Sequence, residues 1–204
     1  MATGLPRAEK ARRTRQRMLD AAARLFTEKG WTATTVEEIA RAAEVGVQTV
    51  YFTFGTKRKL LKELLDNTVA GDLDPVATLD RPWAREVLGA PDPAAQLALQ
   101  AAGARRILER SAAVLDVVRA ATADPEIAEL WRANVGQRHA VQLQFARALA
   151  AKGALRGGHD SESAADIALA VLGPESYGLL VTHRGWTPER WEAWAADSLA
   201  RQLL

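Results

Sequence analysis

Residues 34–62, TTVEEIARAAEVGVQTVYFTFGTKRKLLK, constrain the fold more than any other part of the chain. Apolar residues mark two short helices: Val36, Ile39, Ala40 and Ala43, then Val47, Val50 and Phe54. Only Glu44-Val45-Gly46 separates them, and a third helix opens after Gly55-Thr56 with Lys57-Arg58-Lys59. Two short helices joined by a turn of three or four residues form a helix-turn-helix unit. The second helix of such a unit can lie in the major groove of DNA. The segment between Gly46 and Gly55 is thus a candidate reading helix, and the rest of the chain is expected to control it.

Charge is distributed accordingly. Residues 1–60 hold 12 Lys and Arg against 6 Asp and Glu, a surplus of six positive charges. Residues 61–204 hold 15 against 19, a surplus of four negative charges, so the overall +2 hides a basic N-terminal third. Clustered cations displace counterions from phosphates and give sequence-independent affinity for nucleic acid. Arg7, Lys10, Arg12, Arg13, Arg15 and Arg17 add to this at the extreme N-terminus. A solvated basic tail is the bland alternative; beside a helix-turn-helix, phosphate contact is the better reading.

Periodicity elsewhere is helical, with no strand pattern. Helices are expected from about Glu9 to Lys29, stopped by Gly30, and from Thr34 or Thr35, whose hydroxyl can cap Val36-Glu37-Glu38. Further helices are expected from Lys57 and, within a Pro- and Asp-containing connector, around Trp83–Leu88. They continue from Ala94 to Thr122, from Pro125 to Gly153, and from Asp160 or Ser161 with a kink at Pro174. The last begins at Thr187-Pro188. The expected fold is all-α: a three-helix helix-turn-helix domain over 1–56, a linking helix and connector over 57–92, and a larger helical domain over 93–204.

Several function classes find no support. With 0 cysteines there are no disulfides, thiolate metal sites or cysteine nucleophiles. His139, His159 and His183 share no metal-ligand spacing. No H-E-x-x-H pair, phosphate loop or G-x-S-x-G elbow occurs, since Pro174-Glu175-Ser176-Tyr177-Gly178 has proline where the first glycine belongs. Neither catalysis nor a cofactor or metal is expected. No run approaches the about 20 apolar residues of a spanning helix, and no signal peptide is visible, so a soluble cytoplasmic protein is expected. The competing readings are an all-helical enzyme and a helical protein-interaction module without sequence-specific DNA binding; binding to a specific duplex discriminates among the three.

The stretch from Thr14 to Leu65 resembles the DNA-binding domain of the TetR family of transcriptional regulators. The resemblance is carried by AARLFTEKG at Ala22–Gly30, TTVEEIA at Thr34–Ala40 and TVYFTFGTK at Thr49–Lys57. The C-terminal GPESYGLLVTHRGWTPERWEAWAADSL is similar to the last two helices of some members. The resemblance implies a dimeric, ligand-responsive regulator, a repressor released from a palindromic operator by a small molecule. It places Thr35 at a helix cap and phosphate contact, Val47, Gln48 and Thr49 at the base-reading start of the helix, Tyr51 and Lys57 at phosphates, and Phe52 at a variable contact. Glutamine pairs bidentately with adenine and valine meets a thymine methyl, so the residue types suit these roles. Glu44 stands where the family usually has glycine and Gly46 where it has a small hydroxyl residue. A left-handed Glu44 would carry about 1–2 kcal/mol of strain.

Two further sets are expectations from pattern. Ile167, Val171, Leu179, Trp191 and Trp194 form an apolar and aromatic surface suited to a two-fold homodimer. Asn134, Arg138 and Gln142 recur at i, i+4 and i+8 on an otherwise apolar stripe, and Glu175 falls on the inward side of its helix. Either these groups satisfy one another or turn to solvent, or they meet the polar atoms of an effector in a cavity walled by Leu108, Leu115, Trp131, Phe145 and Leu172.

Overall fold

A computed structural model of the chain describes residues 6–74, 76–153 and 155–204. Among these residues every regular element is helical. The elements are α1 (Arg7–Ala33), α2 (Val36–Ala42), α3 (Val47–Phe54), α4 (Lys57–Ala70), a 3₁₀ turn (Thr78–Asp80), α5 (Pro82–Gly89), α6 (Pro93–Ala120), α7 (Pro125–Ala151), α8 (Ser161–Val171), α9 (Pro174–Tyr177) and α10 (Pro188–Leu203). Two compact units emerge. The first comprises the chain up to Thr68 together with Ala113–Trp131; the second comprises Val69–Ala112 and Arg132–Leu204. Helices α6 and α7 each contribute to both units, an organisation that no single cut along the chain expresses.

In the first unit, local chemistry sets the helix ends. The regular part of α1 stops where Gly30 takes φ 80°, a left-handed conformation that glycine adopts without strain. Thr34 then donates its hydroxyl to the carbonyls of Leu25 (3.0 Å) and Gly30 (2.9 Å), engaging acceptors left open at the helix end. Thr35 caps α2 with a reciprocal box: its Oγ1 accepts from the Glu38 amide, and Glu38 accepts from the Thr35 amide. A cap of this kind contributes about 0.5–2 kcal/mol. Lys29 donates to the same Glu38 carboxylate at 2.7 Å, and this bond, followed by that from Thr35, holds its pKa below the usual value. The core below is formed by Met18, Leu19, Ala22 and Phe26 of α1, Ile39 and Ala40 of α2, Val50 and Phe54 of α3, and Leu60, Leu61, Leu64 and Leu65 of α4, all buried. Burying each large side chain contributes about 1.5–3 kcal/mol.

The second unit contains an aromatic cluster and a set of buried amides. Trp83 meets Phe145 edge-on at a centroid distance of 6.0 Å, against buried Ala84 and Val87. Gly103 makes room for this indole: a Cβ there would stand 2.5 Å from Trp83 Cε3. On α6, Gln96 and Gln100 are buried. Gln96 donates to the Phe145 carbonyl and accepts from Lys152, while Gln100 donates to Gln142. Asp160 caps α8 through Ser163, and Thr187 caps α10 with Pro188 in its first turn.

Sequence periodicity and structure differ between Ser161 and His183. This 23-residue stretch contains 18 consecutive residues of mean hydropathy 1.3, long and apolar enough by composition alone to cross a membrane, which corrects the expectation that no run approaches that length. It is not one regular helix. The chain breaks at Leu172-Gly173, restarts at Pro174, and continues beyond Tyr177 as a π-helical segment, Gly178–His183. Pro174 does not kink a continuous helix, because its missing N–H is harmless at the first position of a new one.

Candidate nucleic-acid interface

The turn between α2 and α3 sets the direction of α3. Glu44 has φ 54°, the one described non-glycine residue with positive φ. The Val45 amide donates to the Ala40 carbonyl at 3.0 Å, closing the turn. Gly46 then leads into α3 with no side-chain cap, and the Thr49 amide donates to the Gly46 carbonyl at 2.9 Å.

Helical spacing divides the side chains of α3 cleanly. Val50 and Phe54 enter the core. Gln48, Thr49, Tyr51 and Phe52 are exposed, and Val47 is half-buried at the helix start. Gln48 and Phe52, four residues apart, share the outward face. Phe52 is 94% exposed, an aromatic ring left almost wholly in water. Tyr51 is 43% exposed and therefore does not pack in the three-helix core. Thr53 instead returns its hydroxyl to the Thr49 carbonyl at 2.7 Å.

Thr35 and Lys57 flank this face from neighbouring helix starts. Thr35 is exposed in its capping role. Lys57 is half-buried: its Nζ donates to the Trp31 carbonyl and lies 4.2 Å from the centroid of the Trp31 ring. Burial pushes the Lys57 pKa below its ordinary value, with Asp124 and Glu38 opposing the shift. The Trp31 indole donates to Asp124 at 3.3 Å and stacks on Phe26 at 5.6 Å. The next residue, Arg58, pairs with Glu126 at 3.0 Å and reaches Glu129 at 3.9 Å. Sequence reading gave no role to Trp31 or Arg58. Their partners are some 26 to 93 residues away along the chain, a separation that periodicity does not encode.

The other two sets lie elsewhere. Leu115 and Trp131 belong to the first unit, whereas Leu108, Asn134, Arg138, Gln142, Phe145, Leu172 and Glu175 belong to the second. Within the second, Arg138 donates to Asn134 at 3.1 Å and stands 3.9 Å from Glu175. Burial lowers the Arg138 pKa, and Glu175 counteracts that effect. Gln142 accepts from Gln100, and Phe145 packs against Trp83. The polar stripe therefore has protein partners: Asn134 and Glu175 for Arg138, and Gln100 for Gln142, while Gln96 beside it engages the Phe145 carbonyl and Lys152. Those two glutamines went unassigned in the sequence, though their i, i+4 spacing beside Leu97 and Ala101 was a visible signal.

Of the residues expected at a subunit interface, Leu179 is 57% exposed, and Ile167, Val171 and Trp194 are half-buried. Trp191 corrects the expectation. It is fully buried within the chain, edge-on to Tyr177 at 5.1 Å, with its indole donating to Ser176 at 3.2 Å. Its neighbour Trp194 meets Trp186 edge-on at 6.3 Å instead.

Comparison with known proteins locates this arrangement. Residues 18–64 match the family described as bacterial regulatory proteins, tetR family. The chain is 36% identical over 64 residues to the HTH-type transcriptional repressor NicS of Pseudomonas putida, a match covering 31% of this chain and 30% of that protein. It is 38% identical over 68 residues to the HTH-type transcriptional regulator AcrR of Shigella flexneri, covering 32% of each. By sequence the chain thus spans about a third of the length of these relatives. The solved structure of NalD, the secondary repressor of the MexAB-OprM multidrug efflux pump in Pseudomonas aeruginosa, superposes with a TM-score of 0.72 at 24% identity, covering 96% of this chain and 98% of that one. A TetR transcription regulator from Haloarcula marismortui gives 0.69 at 16% identity, covering 94% and 99%. At these identities the structural likeness speaks to the fold.

Proposed function

We propose that the chain, whose residues 18–64 match the family described as bacterial regulatory proteins, tetR family, is a ligand-responsive, DNA-binding transcriptional regulator acting as a repressor in the cytoplasm. The observation that carries this reading is the outward face of α3, where Gln48 and the 94% exposed Phe52 stand together on a helix held by a buried core. An exposed ring on a rigid helix is suited to an apolar partner such as a thymine methyl, and glutamine to the edge of adenine. Val47 and Thr49 complete the base-reading set. Thr35, Tyr51 and Lys57 hold phosphates on either side. An ammonium has three donors, so Lys57 can keep the Trp31 carbonyl and still meet a phosphate.

Two protomers associate through Ile167, Val171, Leu179 and Trp194, and set two copies of α3 about 34 Å apart, one turn of duplex. A palindromic operator is the complement of that symmetry. An effector binds in the second unit, where Arg138, Asn134 and Glu175 supply polar groups beside the apolar side chains of Leu108, Phe145 and Leu172. It releases DNA by favouring a spacing of the two reading helices that the operator does not accept, which requires unequal affinity for the two states. The repressor name of NicS supports this sense of regulation. The reading is tested by selecting duplexes from a random pool with the purified protein. Recovery of a two-fold symmetric site bound by two protomers is the expected result; a pool left unenriched refutes it.

A further inference from the structure

The first eleven residues of α1, Arg7–Arg17, hold no buried side chain; burial begins at Met18. A helix of that length is marginal in water by itself. It continues from the packed part of α1, with turn-spanning contacts from Arg13 to Glu9 at 3.0 Å and from Gln16 to Asp20 at 2.9 Å. The segment RAEKARRTRQR carries six cations and one acid.

The six cations are not equivalent. Arg15 turns inward, forks onto both carboxylate oxygens of Glu63, and lies 5.1 Å from the centroid of the Phe54 ring. Lys10, Arg13 and Arg17 are exposed and follow an i, i+3, i+7 pattern, which aligns them along one side of the helix. At 1.5 Å rise per residue the stripe runs for about 10 Å. Arg17 fixes its position: its Nη1 lies 3.8 Å from Glu44 in the turn that leads into α3. The stripe therefore starts beside the reading helix and leads away from it, within one compact unit.

We infer that Lys10, Arg13 and Arg17 grip the sugar–phosphate backbone of duplex DNA flanking the half-site that α3 reads. This rests on the proposal that α3 binds DNA. Charge selects a polyanion as the partner, and composition selects against a lipid surface. The only apolar side chains of the segment are those of Ala8 and Ala11, whereas a helix that lies in a bilayer interface needs a broad apolar face. Adjacency to α3 then selects DNA among polyanions. Arg17 exchanges Glu44 for a phosphate when the duplex arrives.

The test is the triple variant Lys10→Ala, Arg13→Ala, Arg17→Ala. None of the three side chains is buried, so far-UV circular dichroism and the melting temperature should match those of wild type. Binding is measured across a salt series on two duplexes carrying the selected site, one with long flanks and one trimmed to the site. Each lost phosphate contact lowers the slope of log K against log salt by about 0.9, so the variant's slope on the long duplex should fall by about 2–3 per protomer. The deficit should shrink strongly on the trimmed duplex, and the base preference should stay the same on both. An unchanged slope on the long duplex, or an equal deficit on both, overturns the inference while leaving α3 as the reading helix. A wild-type protein that selects no duplex overturns both.

Discussion

Replacing Glu44 by glycine should stabilise the protein. Glu44 sits at φ 54° in the helix-turn-helix turn. For an L-residue that conformation costs about 1–2 kcal/mol, because Cβ crowds the carbonyl oxygen. Glycine removes the strain but enlarges the unfolded ensemble, which returns about 0.4–1 kcal/mol. The substitution also deletes the Arg17 pair, whose atoms are 3.8 Å apart with side chains 51% and 86% exposed. Such an exposed pair contributes a few tenths of a kcal/mol at most, or about 0.2. These terms sum to between about −0.2 and +1.4 kcal/mol, centred on a gain of about 0.6 kcal/mol, seen as an increase of about 1–2 °C in melting temperature for a chain of this size. Urea unfolding followed by circular dichroism, at fixed protein concentration, measures it. Glu44→Ala separates backbone from charge: it keeps Cβ and its strain yet loses the pair, so it should equal wild type or fall slightly below. A glycine variant no more stable than the alanine variant would refute the strain argument.

Three other outcomes are expected. Arg81 forks onto Asp72 at 2.7 and 3.1 Å and, with the Asp74 amide, holds the Asp72 pKa down to about 2 from 3.8. The folded pKa lies below the unfolded one, so the stabilisation is complete above about pH 5 and is lost as pH falls through 3.8 toward 2. Asp72→Asn should thus be less stable than wild type at neutral pH, with the gap closing in acid; a pH-independent gap contradicts the linkage. Val171→Asp should shift the protein from dimer to monomer in sedimentation velocity at micromolar concentration, whereas a monomeric wild-type protein removes the interface altogether. Once an effector is found by its release of DNA, Arg138→Ala should weaken release about tenfold or more, as expected when one charged hydrogen bond of about 1.5–3 kcal/mol is lost. Operator affinity should stay near wild type, and unchanged release places the effector elsewhere.

What could be read from the chain was what neighbours along it determine. Gly30 and the Thr35–Glu38 capping box act within one helical turn, so helix ends followed from local chemistry. The faces of α3 followed from period alone, because Val50 and Phe54 are its only buried side chains. Long-range partnerships were less legible. Lys57 looks like a surface cation beside Gly55-Thr56, yet the Trp31 ring and carbonyl draw it inward. Trp191 and Trp194 read as one aromatic patch, but three residues of helix turn them to different surroundings, one into the Tyr177 and Ser176 core and one toward Trp186. Asn134, Arg138 and Gln142 appeared as polar intruders on an apolar stripe. Gln142 is answered across helices by Gln100 of α6, and Arg138 by Asn134 of its own helix and by Glu175, partners that the stripe alone does not reveal.

The central claim is that α3 reads base identity through its outward face, and Gln48→Ala tests it most directly. Sites selected from a random pool by wild type and by the variant should share every position except one base pair in each half-site. At that pair the variant's preference should relax by about 1–3 kcal/mol. A variant that recovers the same profile as wild type, merely with weaker binding throughout, would contradict the account.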